Sequence, residues 1–215
     1  HAYTHVSMTR PCPEDYLQPY REAVARHGPC FHATLWSSPE GQRIRFDVMT
    51  DMAGFEQCSI LDVGCGRGDF ADRLLQRGVP FERFNGIDAL DEFIDAATAR
   101  RLARCEFHVA DALADPSVLT RESADFVCIS GTLNTMDEPA ARRLVHAAFD
   151  VSAQGVVFNF LSNRFHERWE EHDLGPARRF DTLAWIEWAL RLTSRVSFTQ
   201  DYLDGHDATI LMRHD

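Results

Sequence analysis

The stretch Ile60-Leu61-Asp62-Val63-Gly64-Cys65-Gly66-Arg67-Gly68-Asp69-Phe70 constrains this chain more than any other. Ile60, Leu61 and Val63 give a short apolar strand pattern, Gly64, Gly66 and Gly68 mark a turn, and Phe70, Leu74 and Leu75 follow at helical spacing. Glycine tolerates the sharp bends and close backbone approach that such a turn requires. The unpaired N–H groups of a helix start then face whatever lies in front of them. Strand, glycine turn and helix in this order predict a nucleotide-like ligand lying across the carboxyl ends of a parallel sheet.

The acids around the turn select among such ligands. A dinucleotide turn reads G-x-G-x-x-G, with pyrophosphate resting on the helix start. Here the spacing is G-x-G-x-G, and Asp69 takes the place of the third dinucleotide glycine. That carboxylate, with Asp62 two residues before Gly64, disfavours a phosphate and suits a cation. S-adenosylmethionine carries a sulfonium, an ammonium and a single carboxylate, so it is preferred over NAD. Phe84–Asp88 reads as a second strand with an acid at its tip, and Asp88 lies twenty residues past Gly68, where a carboxylate accepts from ribose hydroxyls. Residues 105–113 read as a third strand ending near Asp111, an acceptor suited to an adenine amino group.

With these segments in view, the chain resembles class I S-adenosylmethionine-dependent methyltransferases. Leu-Asp-Val-Gly-Cys-Gly-Arg-Gly, Gly-Ile-Asp and Ala-Asp-Ala are similar to that family's first three motifs, in order and at suitable spacing. The resemblance implies an α/β, Rossmann-like methyltransferase fold: a mostly parallel seven-stranded sheet, helices on both faces and a C-terminal antiparallel strand pair. It also implies that Gly64, Cys65 and Gly66 flank the methionine part of the cofactor. Asp88 with Ala89 would grip the ribose, Asp111 with Ala112 would frame the adenine, and Ser130 would stand at the strand tip beside the transferable methyl. A looser resemblance, carried by Trp36, Arg45–Phe46, Ser130–Gly131, Phe158-Asn159-Phe160 and Asp201–Tyr202, is to a bacterial group of these enzymes without a well-defined substrate. It suggests that Trp36 and Arg45 reach back over the cofactor, Arg45 pairing with its carboxylate. Trp36 reads equally as an anchor of an N-terminal cap, and Arg45 as part of a solvated helix face.

Along the chain, residues 1–53 read as a proline-bearing arm and a helical cap, with helices near 14–26 and 40–52. Residues 54–215 read as the cofactor-binding core, all within one structural domain. A fourth strand is expected at 124–130, a helix from Glu138 to Phe149, a fifth strand at 155–160, a helix capped by Asp181, and a closing hairpin of 195–202 with 208–213. The segment 161–181 breaks this rhythm and is a candidate substrate cover. Within it His166 is the candidate general base, because imidazole titrates in the useful range; His172 lies in the same segment. Asn134, after the fourth strand, is the other candidate catalytic residue, with a plain turn role as the alternative. Ser130–Asn134 is not the Asn/Asp-Pro-Pro-Tyr/Phe sequence of adenine or amide methyltransferases.

Composition narrows the partners. The formal charge is −11, which argues against broad nucleic-acid binding. All 22 basic residues are arginine, so no catalytic lysine exists. The six cysteines include no C-x-x-C pair; they suit a reducing compartment, and no metal site is expected. No apolar run approaches the ~20 residues of a membrane span, and no secretory leader is evident. The expectation is a cytoplasmic enzyme that methylates a small molecule. A tRNA or protein methyltransferase and a non-catalytic cofactor-binding partner are the alternatives.

Overall fold

The computed structural model describes residues 16–215. The expected N-terminal arm, Cys12 and the start of the first helix at Glu14 lie outside these residues. Seven strands form one sheet: β1 (Ser59–Val63), β2 (Arg83–Asp88), β3 (Cys105–Val109), β4 (Phe126–Ile129), β5 (Gly155–Leu161), β6 (Arg195–Thr199) and β7 (Asp207–Arg213). Their order across the sheet is β3-β2-β1-β4-β5-β7-β6. The first five strands run parallel, and β7 is antiparallel to both β5 and β6. The fold is the Rossmann-like methyltransferase arrangement that the motifs implied.

The central strands β1, β4, β5 and β7 are buried on both faces, as strands between helix layers must be, while the edge strands β3 and β6 are largely exposed. On one face Leu61, Val63, Val127, Ile129 and Phe158 pack with α6 (Glu138–Val151) and α7 (Thr182–Leu192). On the other, Ile60, Phe84, Phe126 and Val157 pack with α2 (Pro39–Ala53) and α3 (Asp69–Gln76). Aromatic rings dominate this second layer: Phe70 stacks on Phe46 at 4.9 Å and meets Phe55 and Phe84 edge-on. A smaller cluster joins α1 (Gln18–His27) to Leu90 and Phe93, the latter on α4 (Asp91–Ala99). The short α5 (Ser117–Arg121) completes the set.

Helix ends follow local chemistry. Ser38, Asp137 and Asp181 cap α2, α6 and α7 by accepting the N–H of Gly41, Ala140 and Ala184, and proline occupies the first turn of α2 and α6. Two expected boundaries move. β3 stops at Val109, short of the expected end near Asp111, and Asp111 Oδ1 accepts the N–H groups of Leu113 and Ala114 and turns the chain. The closing hairpin is shorter too: β6 ends at Thr199 and a 3-10 turn, Leu203–Gly205, leads into β7.

Chain order reverses between β1 and β4. β1 leads outward through β2 to β3, and the chain then returns to place β4 on the other side of β1. Open α/β sheets have their binding crevice at such a point, beyond the carboxyl ends of the strands.

Candidate functional site

Beyond β1 the backbone makes the turn that its glycines permit. Gly64, Gly66 and Gly68 have φ of 75°, 52° and 72°, values that cost other residues about 1–2 kcal/mol. Gly64 also has no room for a side chain, since a Cβ there would lie 2.1 Å from Thr132 Oγ1. The turn is tied to β2: the N–H groups of Gly64 and Cys65 both donate to the carbonyl of Ile87, at 2.8 and 3.0 Å. Asp88, at the tip of β2, accepts from Gly66 N–H at 2.9 Å and Leu90 N–H at 3.0 Å. The carboxylate thus holds the turn and the start of α4 around itself.

A cavity opens over this turn. Nine of the residues named from sequence line it: Asp62, Gly64, Cys65, Gly66, Asp88, Ala89, Ala112, Ser130 and Trp36. Cys65 is buried, and a Cβ on Gly86 of β2 would come 2.8 Å from its sulfur, so it packs as a small side chain. Asp62 is buried near Asp88. Burial, reinforced by the Asp88 charge, pushes its carboxyl up to about 8. Asp88 rises less, to about 6, because burial is opposed by backbone N–H groups. Both acids therefore stand in a setting that a cationic ligand would relieve.

Two expected cofactor contacts sit elsewhere. Asp111 lies beside the cavity but not on its lining; its Oδ1 takes the Tyr16 hydroxyl at 2.8 Å as well as the two turn N–H groups. Arg45 already has a carboxylate partner within the chain. Its Nε donates to Asp207 Oδ1 at 2.7 Å and its Nη2 to Oδ2, and both side chains are buried. This pairing occupies the Nε and Nη2 edge of the guanidinium, and Arg45 lines a neighbouring cavity and not this one. Sequence reading missed Arg67. It lines the cavity, and its Nε is buried without a hydrogen-bond partner among the described residues. The signal was present, since Arg67 stands inside the glycine turn itself.

A second cavity, of about 600 Å³, adjoins the first. Tyr20, Thr34, Trp36 and Gly131 line both. Gly131 is required at this junction: its φ is 74°, and a Cβ would lie 2.5 Å from the Trp36 ring. Trp36 in turn lies under the Arg45 guanidinium, 4.9 Å from ring centroid to Cζ. The far wall comes from Asn134, Thr135, His172 and His206.

The two catalytic candidates separate here. Asn134 lines the second cavity, but its Oδ1 accepts Leu161 N–H at 2.9 Å and so fixes the end of β5. His166 is not at either cavity. It caps the 3-10 turn Glu167–Trp169, its Nδ1 accepting Arg168 N–H at 3.2 Å on the exposed side of the segment. A cap position turns the ring back onto its own backbone, which is why segment membership alone misplaced it. His172, six residues later, is the imidazole of that segment that reaches the cavity. His206 is buried there as well, stacked on Trp169 at 4.0 Å; it sits in the turn before β7, where the sequence showed only a hairpin.

Comparison with known proteins agrees with this geometry. Residues 60–155 match the family model described as "Methyltransferase domain". No curated protein matches the chain in sequence. Among solved structures it is similar to the DhpI-SAM-HEP complex, at 16% identity and a TM-score of 0.68, covering 97% of this chain and 100% of that one. It is also similar to magnesium protoporphyrin IX methyltransferase (ChlM) from Synechocystis PCC 6803 with bound SAM, at 13% identity and a TM-score of 0.66, covering 96% and 100%. A third likeness is to the small RNA methyltransferase HEN1, at 13% identity and a TM-score of 0.66, covering 84% of this chain and 26% of that one. Residues 60–155 thus match a methyltransferase domain, and the strand order of the whole chain is the fold shared with these solved structures.

Proposed function

We propose that the protein transfers the methyl group of S-adenosylmethionine to a small-molecule acceptor seated in the second cavity. The observation that carries this reading is the shared wall: two cavities meet at Tyr20, Thr34, Trp36 and Gly131, one lined by acids and the other by imidazoles and hydroxyls. The turn Gly64–Gly66 with Asp62 would hold the methionine part, Asp62 facing its positive charge. Arg67, with its unpartnered Nε, replaces Arg45 as the candidate for the cofactor carboxylate. Asp88 and Ala89 would receive the ribose, Ala112 the adenine, and Ser130 the region of the methyl.

The cofactor supplies an already activated methyl group, so positioning supplies much of the rate. An acceptor that must also lose a proton needs a base within reach. His172 is the imidazole best placed for that, and it takes over the role first given to His166. Asn134 acts as a positioning residue through Leu161.

The acidic charge of the chain favours a small acceptor over a nucleic acid. The five free cysteines of the described residues suit a reducing compartment, which favours the cytoplasm. Among the described residues no helix is long and apolar enough to cross a membrane.

Titration with S-adenosylmethionine and with NAD tests the cofactor reading: binding of the first and not the second is expected, and the reverse would overturn it. Release of S-adenosylhomocysteine across a small-molecule set and a pool of short RNAs tests the acceptor. Turnover confined to RNA, with steep salt dependence, would replace the small-molecule reading.

A further inference from the structure

The second cavity has an electrical bias that bears on the charge of its ligand; this step rests on assigning that cavity to the methyl acceptor. Two guanidinium groups stand near one buried carboxylate, Asp207: Arg45 on the cavity lining and Arg179 off it. Arg45 is closed on Asp207, and these side chains are 4% and 1% exposed. Arg179 is the second cation. It donates from Nη1 to the carbonyl oxygens of Ser162 (2.8 Å) and His206 (3.2 Å), and from Nη2 to His206 Nδ1 at 3.0 Å. None of those three acceptors carries a negative charge, so the group keeps one positive charge in excess.

His206 turns that excess into a directed contact. Arginine has only donors, so Nδ1 of His206 must be the accepting nitrogen and the ring proton must sit on Nε2. Burial first, then the Arg179 charge, pushes the imidazole down to about 3, so the ring stays neutral and keeps this tautomer. The ring lines the cavity, and Nε2 has no hydrogen-bond partner among the described residues. Thr135 adds a buried hydroxyl on the same lining without a well-formed hydrogen bond. Asp173 is the carboxylate on that lining; it is exposed, and it is turned onto its own loop through Gly175 N–H at 2.8 Å. Arg168, farther out, is paired with Asp204.

We infer that the acceptor is an anionic small molecule, and that its carboxylate is received by His206 Nε2–H and the Thr135 hydroxyl in the positive field of Arg45 and Arg179. A free N–H on the cavity lining recognises an oxygen acceptor, and the Thr135 hydroxyl stands by it, next to the Tyr20 hydroxyl. The surplus guanidinium charge selects a charged oxygen over a carbonyl. His206 is thereby a recognition residue and not the base, since its lone pair is already used.

The test is a matched set of carboxylic acids and their neutral amides (benzoic, phenylacetic, 3-phenylpropionic and octanoic), measured by ligand-observed NMR on protein loaded with S-adenosylhomocysteine. The acids should bind about tenfold tighter than their amides, the difference expected of a charge-assisted hydrogen bond. His206→Phe keeps a ring on Trp169 and should bring that preference below about threefold. Thr135→Val, nearly isosteric, should weaken the acids and leave the amides unchanged. S-adenosylhomocysteine affinity should be unchanged in both variants. Equal binding of acids and amides would overturn the inference, as would a preference that survives both substitutions, or no acid binding up to about 10 mM, a level weaker than any useful recognition. Failure to bind S-adenosylhomocysteine at all would instead strike the cofactor reading.

Discussion

The two cavities that meet at Trp36 are built by different rules. The cofactor side is made largely from backbone and from residues close together in sequence: a glycine turn, the next strand tip and the loop beyond β3. The proposed acceptor side is made from side chains gathered from α2, the tip of β4, the irregular 161–181 segment and the turn before β7. The first depends on where the chain can bend. The second depends on which distant residues the finished fold brings together, and it rests on an ion pair whose members are 162 positions apart.

The comparison can be broken at either end. The largest effect is expected at Arg45. Its replacement by methionine strands Asp207 as a buried unpaired carboxylate and should cost about 3–5 kcal/mol in urea unfolding. Arg45→Met with Asp207→Leu should recover much of that loss. If the single variant were as stable as the parent, the ion pair would not be what holds the acceptor wall together. Next is Asp88→Ala, which removes the acceptor of the Gly66 and Leu90 N–H groups and the proposed ribose contact. Affinity for S-adenosylmethionine should fall by at least about a hundredfold by calorimetry, since two charged hydrogen bonds of roughly 1.5–3 kcal/mol each are lost. Acid binding in the second cavity should change far less.

A third effect is pH-dependent and belongs to the cofactor side alone. In the folded, empty protein the Asp62 carboxyl is lifted from 3.8 to about 8, so it holds a proton at pH 7 that the unfolded chain has released. Stability of the unliganded protein therefore declines as pH rises through that window. Binding a cationic donor reverses the preference and expels the proton. Affinity should rise about tenfold from pH 6.5 to 7.5 and level off above pH 8, with proton release at pH 7 visible as a buffer-dependent binding enthalpy. Asp62→Asn should flatten the profile; a flat profile in the parent would remove Asp62 from contact with the cation. The smallest effect sharpens the acceptor side. His166→Ala should leave turnover within about twofold, whereas His172→Ala should lower it by about a hundredfold, the usual contribution of a general base. Equal losses in the two would return the role to the segment as a whole.

These rules explain what could be read in advance. The strand–turn–helix at 60–70 is legible because glycine spacing and apolar alternation are local properties, and Asp62 and Asp88 are placed by the strands that carry them. Asp111 was legible as a strand-end acid but not as a turn holder, because its side chain chose the nearby N–H groups and Tyr16. Arg45 read as a partner of the cofactor carboxylate or as part of a solvated face, and it is neither: it is buried on Asp207, which comes beside it only once β7 lies against β5. Within 161–181 the order of residues does not disclose which imidazole turns inward; a cap hydrogen bond decided that for His166. The neutral donor at His206 depends on a guanidinium 27 positions earlier and has no local signature.

The direction of β7 accounts for much of this. Because it runs opposite to β5, Leu161 at the end of one strand pairs with Asp207 at the beginning of the other. The parallel strands can furnish the crevice only with their last residues. The reversed strand offers its first ones, so a late part of the chain reaches the rim that the earlier strands share. The family match stops at residue 155, before that hairpin begins. Proteins alike over that interval can share a methyl donor and still differ wholly in the molecule they modify.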